Sequence, residues 1–168
     1  MQFTLQELGL LDAPPEPEFD NLSLLACDLL DVPMAHVSIL DHEKRRIFYK
    51  SQNGHPAPLA EARGLPMQMT YCQHVPLTEA PVVVPDAREH RLIKATYASV
   101  GGPLGYLGLP ISAPCGTVVG GLCLMQPEVR SWTKEEISRA NKLAACVSDL
   151  IRLRAAMLTS ERLRREQR

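Results

Sequence analysis

Two long apolar runs separated by a tight turn dominate the hydrophobic pattern of the chain. Leu104–Ala113 and Thr117–Gln126 flank Pro114-Cys115-Gly116. Apolar segments bounded by turn residues in this way predict a β-hairpin. A Gly120-Gly121 pair interrupts the second run, which signals a bulge or the close approach of another element. Nowhere else do two long buried strands follow one another, so the hairpin is expected at the middle of a sheet. Upstream, Met34–Asp41 predicts a strand with Val37 and Ile39 on one face and His36 and Ser38 on the other. A charged turn at Asp41–Lys44 leads into a second strand, Arg46–Gln52, which Asn53-Gly54 closes. Ala80–Pro85 is short and fenced by prolines, which suits an edge strand.

Helical spacing governs the two ends. Phe19, Leu22, Ala26, Leu29 and Leu30 define an amphipathic helix. Pro17 fits its first turn, Glu18 and Asp20 sit near its positive end, and Val32-Pro33 stops it. A second helix opens after Trp132, where Thr133 and Glu136 have capping-box spacing. Ile137, Ala140, Ala144, Val147, Ile151 and Leu158 form a seam along it, with Leu143, Cys146, Leu150, Leu153 and Met157 as a stripe beside it. Helical to residue 168, this segment would run roughly 54 Å, against about 30 Å for a small domain. The end is therefore expected to overhang, and it is basic, with Arg152, Arg154, Arg162, Arg164, Arg165 and Arg168 against Glu161 and Glu166. One reading of this end is a solvated, frayed tail; the favoured one is a two-stranded coiled coil joining two copies, although Arg154 and Glu161 interrupt the seam.

The remaining segments have no clear period. Residues 1–17 form a proline-containing lead-in, with a short helix at Thr4–Leu10. Pro56 to Pro66 is expected to be irregular, Gln68–Val75 a helical turn facing the sheet, and Asp86 to Gly102 a long loop. Loops of that length are functional or mobile. The sum is an α+β domain: a central antiparallel β-sheet with the N- and C-terminal helices packed on one face, and loops and short helices covering a pocket on the other. The expected division is a lead-in over 1–17, a folded domain over 18–153 and a basic extension of the C-terminal helix over 154–168.

Composition narrows the function classes. A chain of 168 residues suits one domain and buries enough surface for a core without metal or disulfide staples. A net charge of -1 gives no electrostatic case for nucleic acid. No apolar run is long enough for a membrane span. The first residues, Met1-Gln2-Phe3-Thr4-Leu5, lack a secretory pattern, so a cytoplasmic location is expected. The five cysteines, Cys27, Cys72, Cys115, Cys123 and Cys146, show no zinc spacing. Reduced thiols are the default, with Cys27 and Cys146 read as buried helix residues.

Candidate chemistry gathers in the segments expected to cover the sheet. Cys72 and His74 lie in Tyr71-Cys72-Gln73-His74-Val75. On a helix, residues two apart do not share a face, so a direct Cys72–His74 catalytic pair is not expected. One reading has Cys72 lining a pocket, where it is modified or ligates something, with His74 as its hydrogen-bond partner. The other is a packed Cys and a capping His. Asp86, directly after a strand, suits a turn cap, or acceptance of a hydrogen bond from a ligand. His90 and Tyr97 lie in the covering loop. Tyr106, Ser112 and Cys123 of the hairpin form the pocket floor if their parity faces the loops, and pairing alone sets that parity. The chain has no G-x-S-x-G nucleophile elbow and no Gly-rich phosphate loop.

Taken together, several stretches resemble a GAF domain of the kind attached to bacterial sensor kinases and cyclic-dinucleotide enzymes. They are Leu11-Asp12 with Glu16 to Asp20, Val37-Ser38-Ile39-Leu40-Asp41, Phe48-Tyr49-Lys50-Ser51, Tyr71-Cys72-Gln73-His74-Val75 and Val84-Pro85-Asp86-Ala87-Arg88. To these the hairpin adds Tyr106 to Ile111 and Gly120-Gly121-Leu122-Cys123, and Trp132-Thr133 follows. The resemblance covers residues 5 to 153 in order. It implies a small-molecule pocket under the loops and dimerisation through the terminal helices.

Departures from the family's patterns remove some branches. The cyclic-nucleotide signature is absent, since Asn141-Lys142 is followed by Leu143-Ala144-Ala145. Gln73, not His, follows Cys72, unlike bilin-attaching members. The expectation is a non-catalytic cytoplasmic sensor that binds an unknown small molecule and transmits through a homodimeric C-terminal helix. Its output would come from a partner protein or from further domains of a longer chain. The alternative is a thiol redox switch or a reductase resembling the free methionine sulfoxide reductases, using Cys72 with Cys115 or Cys123. Neither reading fixes a cofactor.

Overall fold

A computed structural model describes residues 2–168; Met1 of the lead-in lies outside the described residues. Helix α1 spans Pro17–Leu30. It starts on Pro17 and ends where Asp31 turns into the left-handed region, φ 51°. Strands β1 (Met34–Asp41) and β2 (Arg46–Asn53) follow, then α2 (Ala57–Ala62) and β3 (Gly64–Pro66). Two 3₁₀ turns at Met67–Met69 and Cys72–His74 lead into α3 (Val75–Thr78). The rest is β4 (Val82–Val84), α4 (Lys94–Val100), the hairpin β5 (Gly105–Ser112) and β6 (Val118–Gln126), and α5 (Lys134–Glu166).

The six strands form one antiparallel sheet in the order β3-β2-β1-β6-β5-β4. The centre falls between β1 and β6, so the hairpin supplies one innermost strand and its neighbour. Gly120 makes that arrangement possible. A Cβ there would stand 1.8 Å from the Ser38 carbonyl oxygen of β1, so only glycine lets the two central strands pair this closely. β4 is the edge strand that its flanking prolines predict.

Side chains alternate between two cores. Ala35, Val37, Ile39, Leu107, Leu109, Leu122 and Leu124 face α1 and α5. Leu40, Ile47, Tyr49, Tyr106, Cys123 and Met125 face α3, α4 and the 3₁₀ turns. Burying apolar area on both faces at about 25 cal/mol per Å² makes this register costly to slip.

Two segments differ from the sequence expectation. Pro56 to Pro66 is not irregular: it holds α2 and the sixth strand, β3, which pairs with Arg46–Phe48. Asp86 to Gly102 is not wholly loop, because Lys94–Val100 is helical and ends at Gly101, φ 72°, whose N–H donates to the Tyr97 carbonyl. A seven-residue helix and a three-residue strand are too short to show a repeat, so tertiary contact decides them.

The capping box of α5 forms as its spacing predicts. Glu136 N–H donates to Thr133 Oγ1 at 3.1 Å, and Thr133 N–H donates to Glu136 Oε2 at 2.9 Å. Ala140, Leu143, Ala144, Val147 and Ile151 bury on the sheet. Cys27 is buried as expected, whereas Cys146 is exposed. It sits one residue, about 100° of helix, off the buried stripe. Leu153 and Met157 are also exposed, at 58% and 55%.

The last part of α5 does not project freely. The lead-in folds back on it, with Phe3, Leu8, Leu10 and Leu11 in the helix-side core. The expected short helix at Thr4–Leu10 is instead a run of turns, stapled by reciprocal Thr4–Glu7 hydrogen bonds. Arg154 donates to the Leu8 carbonyl at 3.1 Å, and Arg162 pairs with Glu7 at 2.8 Å while stacking over Phe3. Among the described residues, no helix is long and apolar enough to cross a membrane.

Candidate functional site

The sheet face away from α1 and α5 holds a cavity of about 310 Å³. Its walls are largely apolar: Met34 and Met125 from the sheet, Leu59 and Leu65 from the α2–β3 segment, Met69 from the first 3₁₀ turn, and Val100 to Pro103 after α4. Tyr71 holds the rim. Its hydroxyl reaches the carbonyls of Gly101 and Pro103, at 3.3 and 3.1 Å. Burial pushes the Tyr71 phenol up, so it stays a donor.

Polar atoms converge at the floor. His36 of β1 faces the cavity, because Val37 beside it faces the helices. His36 Nε2 lies 3.0 Å from Cys72 Sγ, and His36 Nδ1 lies 2.7 Å from His55 Nε2. Burial depresses His55 to about 4, so its ring is neutral and its unprotonated nitrogen accepts. The consistent assignment has His36 Nδ1–H donating to His55, which turns His36 Nε2 toward the sulfur. Tyr49 stacks beside both imidazoles, with ring centroids 4.5 Å from His36 and 5.2 Å from His55.

Cys123 lies next to Cys72, Sγ to Sγ 3.8 Å, and both are buried free thiols. Tyr106 Oη donates to Cys123 Sγ at 3.0 Å, and Ser38 Oγ is 3.8 Å from the same sulfur. The Cys123 thiol, donating toward Cys72, holds the Cys72 thiol well below the usual range, with His36 adding to this against burial. Burial pushes Cys123 well above it. Within the pair, Cys123 Sγ is thus the donor and Cys72 Sγ, at the cavity, the acceptor.

Of the residues singled out in the sequence, Tyr71, Cys72 and Tyr106 line the cavity, and Cys123 lies beneath it. The others lie elsewhere. His74 is not the partner of Cys72; its buried Nε2 has no hydrogen-bond partner in the described structure. Burial and the nearby His90 lower its basicity. His90 accepts the Leu92 N–H through Nδ1, and Tyr97 packs against the pocket-side core without lining the cavity. Asp86 is a turn cap, accepting the Arg88 N–H at 3.0 Å and pairing with its guanidinium at 2.7 Å. Ser112 lies past a register shift at the end of β5, where its N–H donates to Ser148 Oγ of α5. Cys115 sits at the exposed hairpin turn. Thr117 and Cys123 are six positions apart along the strand, roughly 20 Å, so Cys115 cannot partner Cys72.

The sequence reading missed His36, Tyr49 and His55 as site residues. The alternation of β1 did place His36 opposite Val37, which was the available signal. His55 follows a turn and carries no pattern at all.

No curated protein sequence matches the chain. Among solved structures, the GAF domain of an Acinetobacter phosphoenolpyruvate-protein phosphotransferase superposes with a TM-score of 0.67 at 16% identity, covering 90% of this chain and 91% of that one. The GAF domain of a Coxiella burnetii phosphoenolpyruvate-protein phosphotransferase gives 0.62 at 23%, with 90% and 91% covered. Free methionine-R-sulfoxide reductase from Neisseria meningitidis, in complex with its substrate, gives 0.65 at 13%, with 83% and 78% covered. Identities this low show a shared fold. A family model described as GAF domain matches residues 14–149, and with most of its length so matched, the chain belongs to the GAF domain family.

Proposed function

We propose that this GAF domain is a non-catalytic cytoplasmic sensor, in which a small molecule occupies the cavity and its presence is read by α5. The observation that carries the reading is the two-sided use of the central strands. His36, Cys123 and Met125 belong to the cavity-side layer, while Val37, Leu122 and Leu124 of the same strands pack on the helices. A ligand that shifts β1 or β6 changes the surface on which α5 rests. The apolar walls and single polar floor suit a compact, mostly apolar molecule with one polar end. Signalling requires that it bind two arrangements of the sheet and helix unequally.

Transmission would run through a homodimer to an output domain or partner protein. Exposed Leu153 and Met157, four apart on α5, supply an apolar stripe for a second copy. Native mass spectrometry of freshly purified protein tests the sensor reading. A retained small molecule, lost when Leu59→Trp fills the cavity, is the expected result. A cavity that purifies empty, with no compound of a metabolite set raising the melting temperature, would sink it.

A thiol redox switch is a second reading, favoured by the 3.8 Å between the Cys72 and Cys123 sulfurs. A hydroperoxide would take two electrons from the pair, forming the S–S bond and releasing an alcohol and water. Thiol counting after peroxide treatment tests it: wild type should lose two of its five thiols, and a loss equal in wild type and Cys123→Ser removes it. Nothing in the geometry favours a reductase that uses Cys115.

A further inference from the structure

We propose that Cys72, Cys123 and His36 form a binding site for a soft divalent metal ion of the zinc class, with one coordination position open to the cavity. The three ligand atoms all lie within 4.8 Å of one another, and all three residues are buried. In a tetrahedral zinc site, with sulfur at about 2.3 Å and nitrogen at about 2.1 Å, two sulfurs stand about 3.8 Å apart, and sulfur and nitrogen about 3.6 Å. The Cys72–Cys123 separation of 3.8 Å already equals that edge. The His36–Cys72 separation of 3.0 Å is shorter, and an ion entering would push the imidazole back by roughly 0.6 Å.

The surroundings suit such an ion. His36 presents Nε2 to the sulfurs because Nδ1–H is engaged by His55 at 2.7 Å. An outer hydrogen bond of this kind fixes the tautomer and orientation of a metal-binding imidazole. Tyr106 Oη at 3.0 Å donates to Cys123 Sγ, which supports a coordinated thiolate in the same way. Two thiolates, a neutral imidazole and a divalent ion sum to zero charge, as a site with apolar walls requires. Binding releases the thiol protons to solvent. The donor set contains no carboxylate, so calcium and magnesium are excluded.

His36 and Cys72 line the cavity and Cys123 lies below, so the fourth position points into the cavity. Two cysteines and one histidine with an open position define a site where an exogenous ligand binds the ion. The metal site itself does not depend on the cavity having an organic ligand. Sequence spacing hides it, since the ligands come from β1, a 3₁₀ turn and β6.

The test uses the full, reduced, metal-free chain and cobalt(II) alone. Uptake of a single equivalent, with the sulfur-to-cobalt charge-transfer band of a tetrahedral thiolate site, is expected, and zinc should displace it. Cys72→Ser and Cys123→Ser should each remove the band, while Cys27→Ala, Cys115→Ala and Cys146→Ala leave it. His55→Ala should keep the band and weaken binding about 10- to 100-fold. Zinc-edge X-ray absorption on the wild-type chain needs no variant and should find two sulfurs and one nitrogen. Absence of the band in the folded wild type, its survival in Cys72→Ser, or a zinc shell of oxygen and nitrogen alone overturns the site. None of these outcomes bears on retention of an organic molecule, so the sensor reading stands or falls separately.

Discussion

Glu16 Oε2 lies 2.5 Å from Lys50 Nζ, and the lysine side chain is wholly buried. The other carboxylate oxygen takes Arg154 of α5. One acidic residue, just before α1, thus ties β2 to the part of α5 that would otherwise hang free. Lys50 also donates to the Pro14 carbonyl at 2.9 Å and sits over the Phe19 ring.

Removing that carboxylate should leave a buried ammonium short of its counter-charge. Glu16→Gln is expected to lose about 3 kcal/mol, the low end for breaking a buried pair, because Pro14 and Phe19 still face the cation. The sign of the pH effect follows. Burial works against ionisation of Glu16, but Lys50 and Arg154 outweigh it and hold its pKa below the ordinary value of 4.5. Its stabilisation is therefore complete above pH 4.5 and is lost as pH falls through the lower folded value. Urea denaturation across pH 3 to 7 should show the wild-type advantage over Glu16→Gln shrinking only at the acid end. A constant gap would remove this account.

Gly120→Ala probes the central strand pairing. Its Cβ would meet the Ser38 carbonyl oxygen at 1.8 Å, and backbone cannot yield as a side chain can. A loss of about 3 kcal/mol is expected in chemical denaturation. A change under about 0.5 kcal/mol, the ordinary surface range, would mean the strands do not pair so closely.

Tyr71→Phe should loosen the cavity rim. Two carbonyls lose their donor, at about 1 kcal/mol. Hydrogen exchange at the amides of Gly101, Gly102, Leu104 and Gly105 should quicken roughly fivefold with the core strands unchanged. Unaltered exchange there would show that the rim is held by packing instead.

The dimer proposal is tested by charge on the exposed stripe. Leu153→Glu with Met157→Glu touches no buried contact, so the melting temperature of a monomer should stay within the small range of surface changes. Sedimentation should shift from dimer to monomer. A dimer mass unchanged by both substitutions rules out α5 as the interface.

Much of the fold was legible because its long elements repeat. The 3.6-residue spacing of α1 and α5, the alternation of β1 and the paired runs of β5 and β6 each contain several periods. The Thr133–Glu136 box and the prolines around β4 act locally, and the structure keeps them. Short elements such as α2, β3 and α4 contain less than the two or three periods a pattern needs, and contacts with neighbours decided them.

The candidate site divides along the same line. The residues by themselves placed Tyr71 and Cys72 in a segment covering the sheet, Tyr106 and Cys123 on the hairpin, and His36 on the face of its strand opposite Val37. Only the tertiary structure decided that Cys72 meets His36 and Cys123, 36 and 51 positions away, and not His74 two positions along. The local 3₁₀ turn sends Cys72 and His74 in different directions. The partners of Cys72 are set instead by sheet register, in which His36 stands opposite Cys123 on neighbouring strands. Register follows from burying both faces of the sheet at once, a property of the whole chain that no single stretch carries.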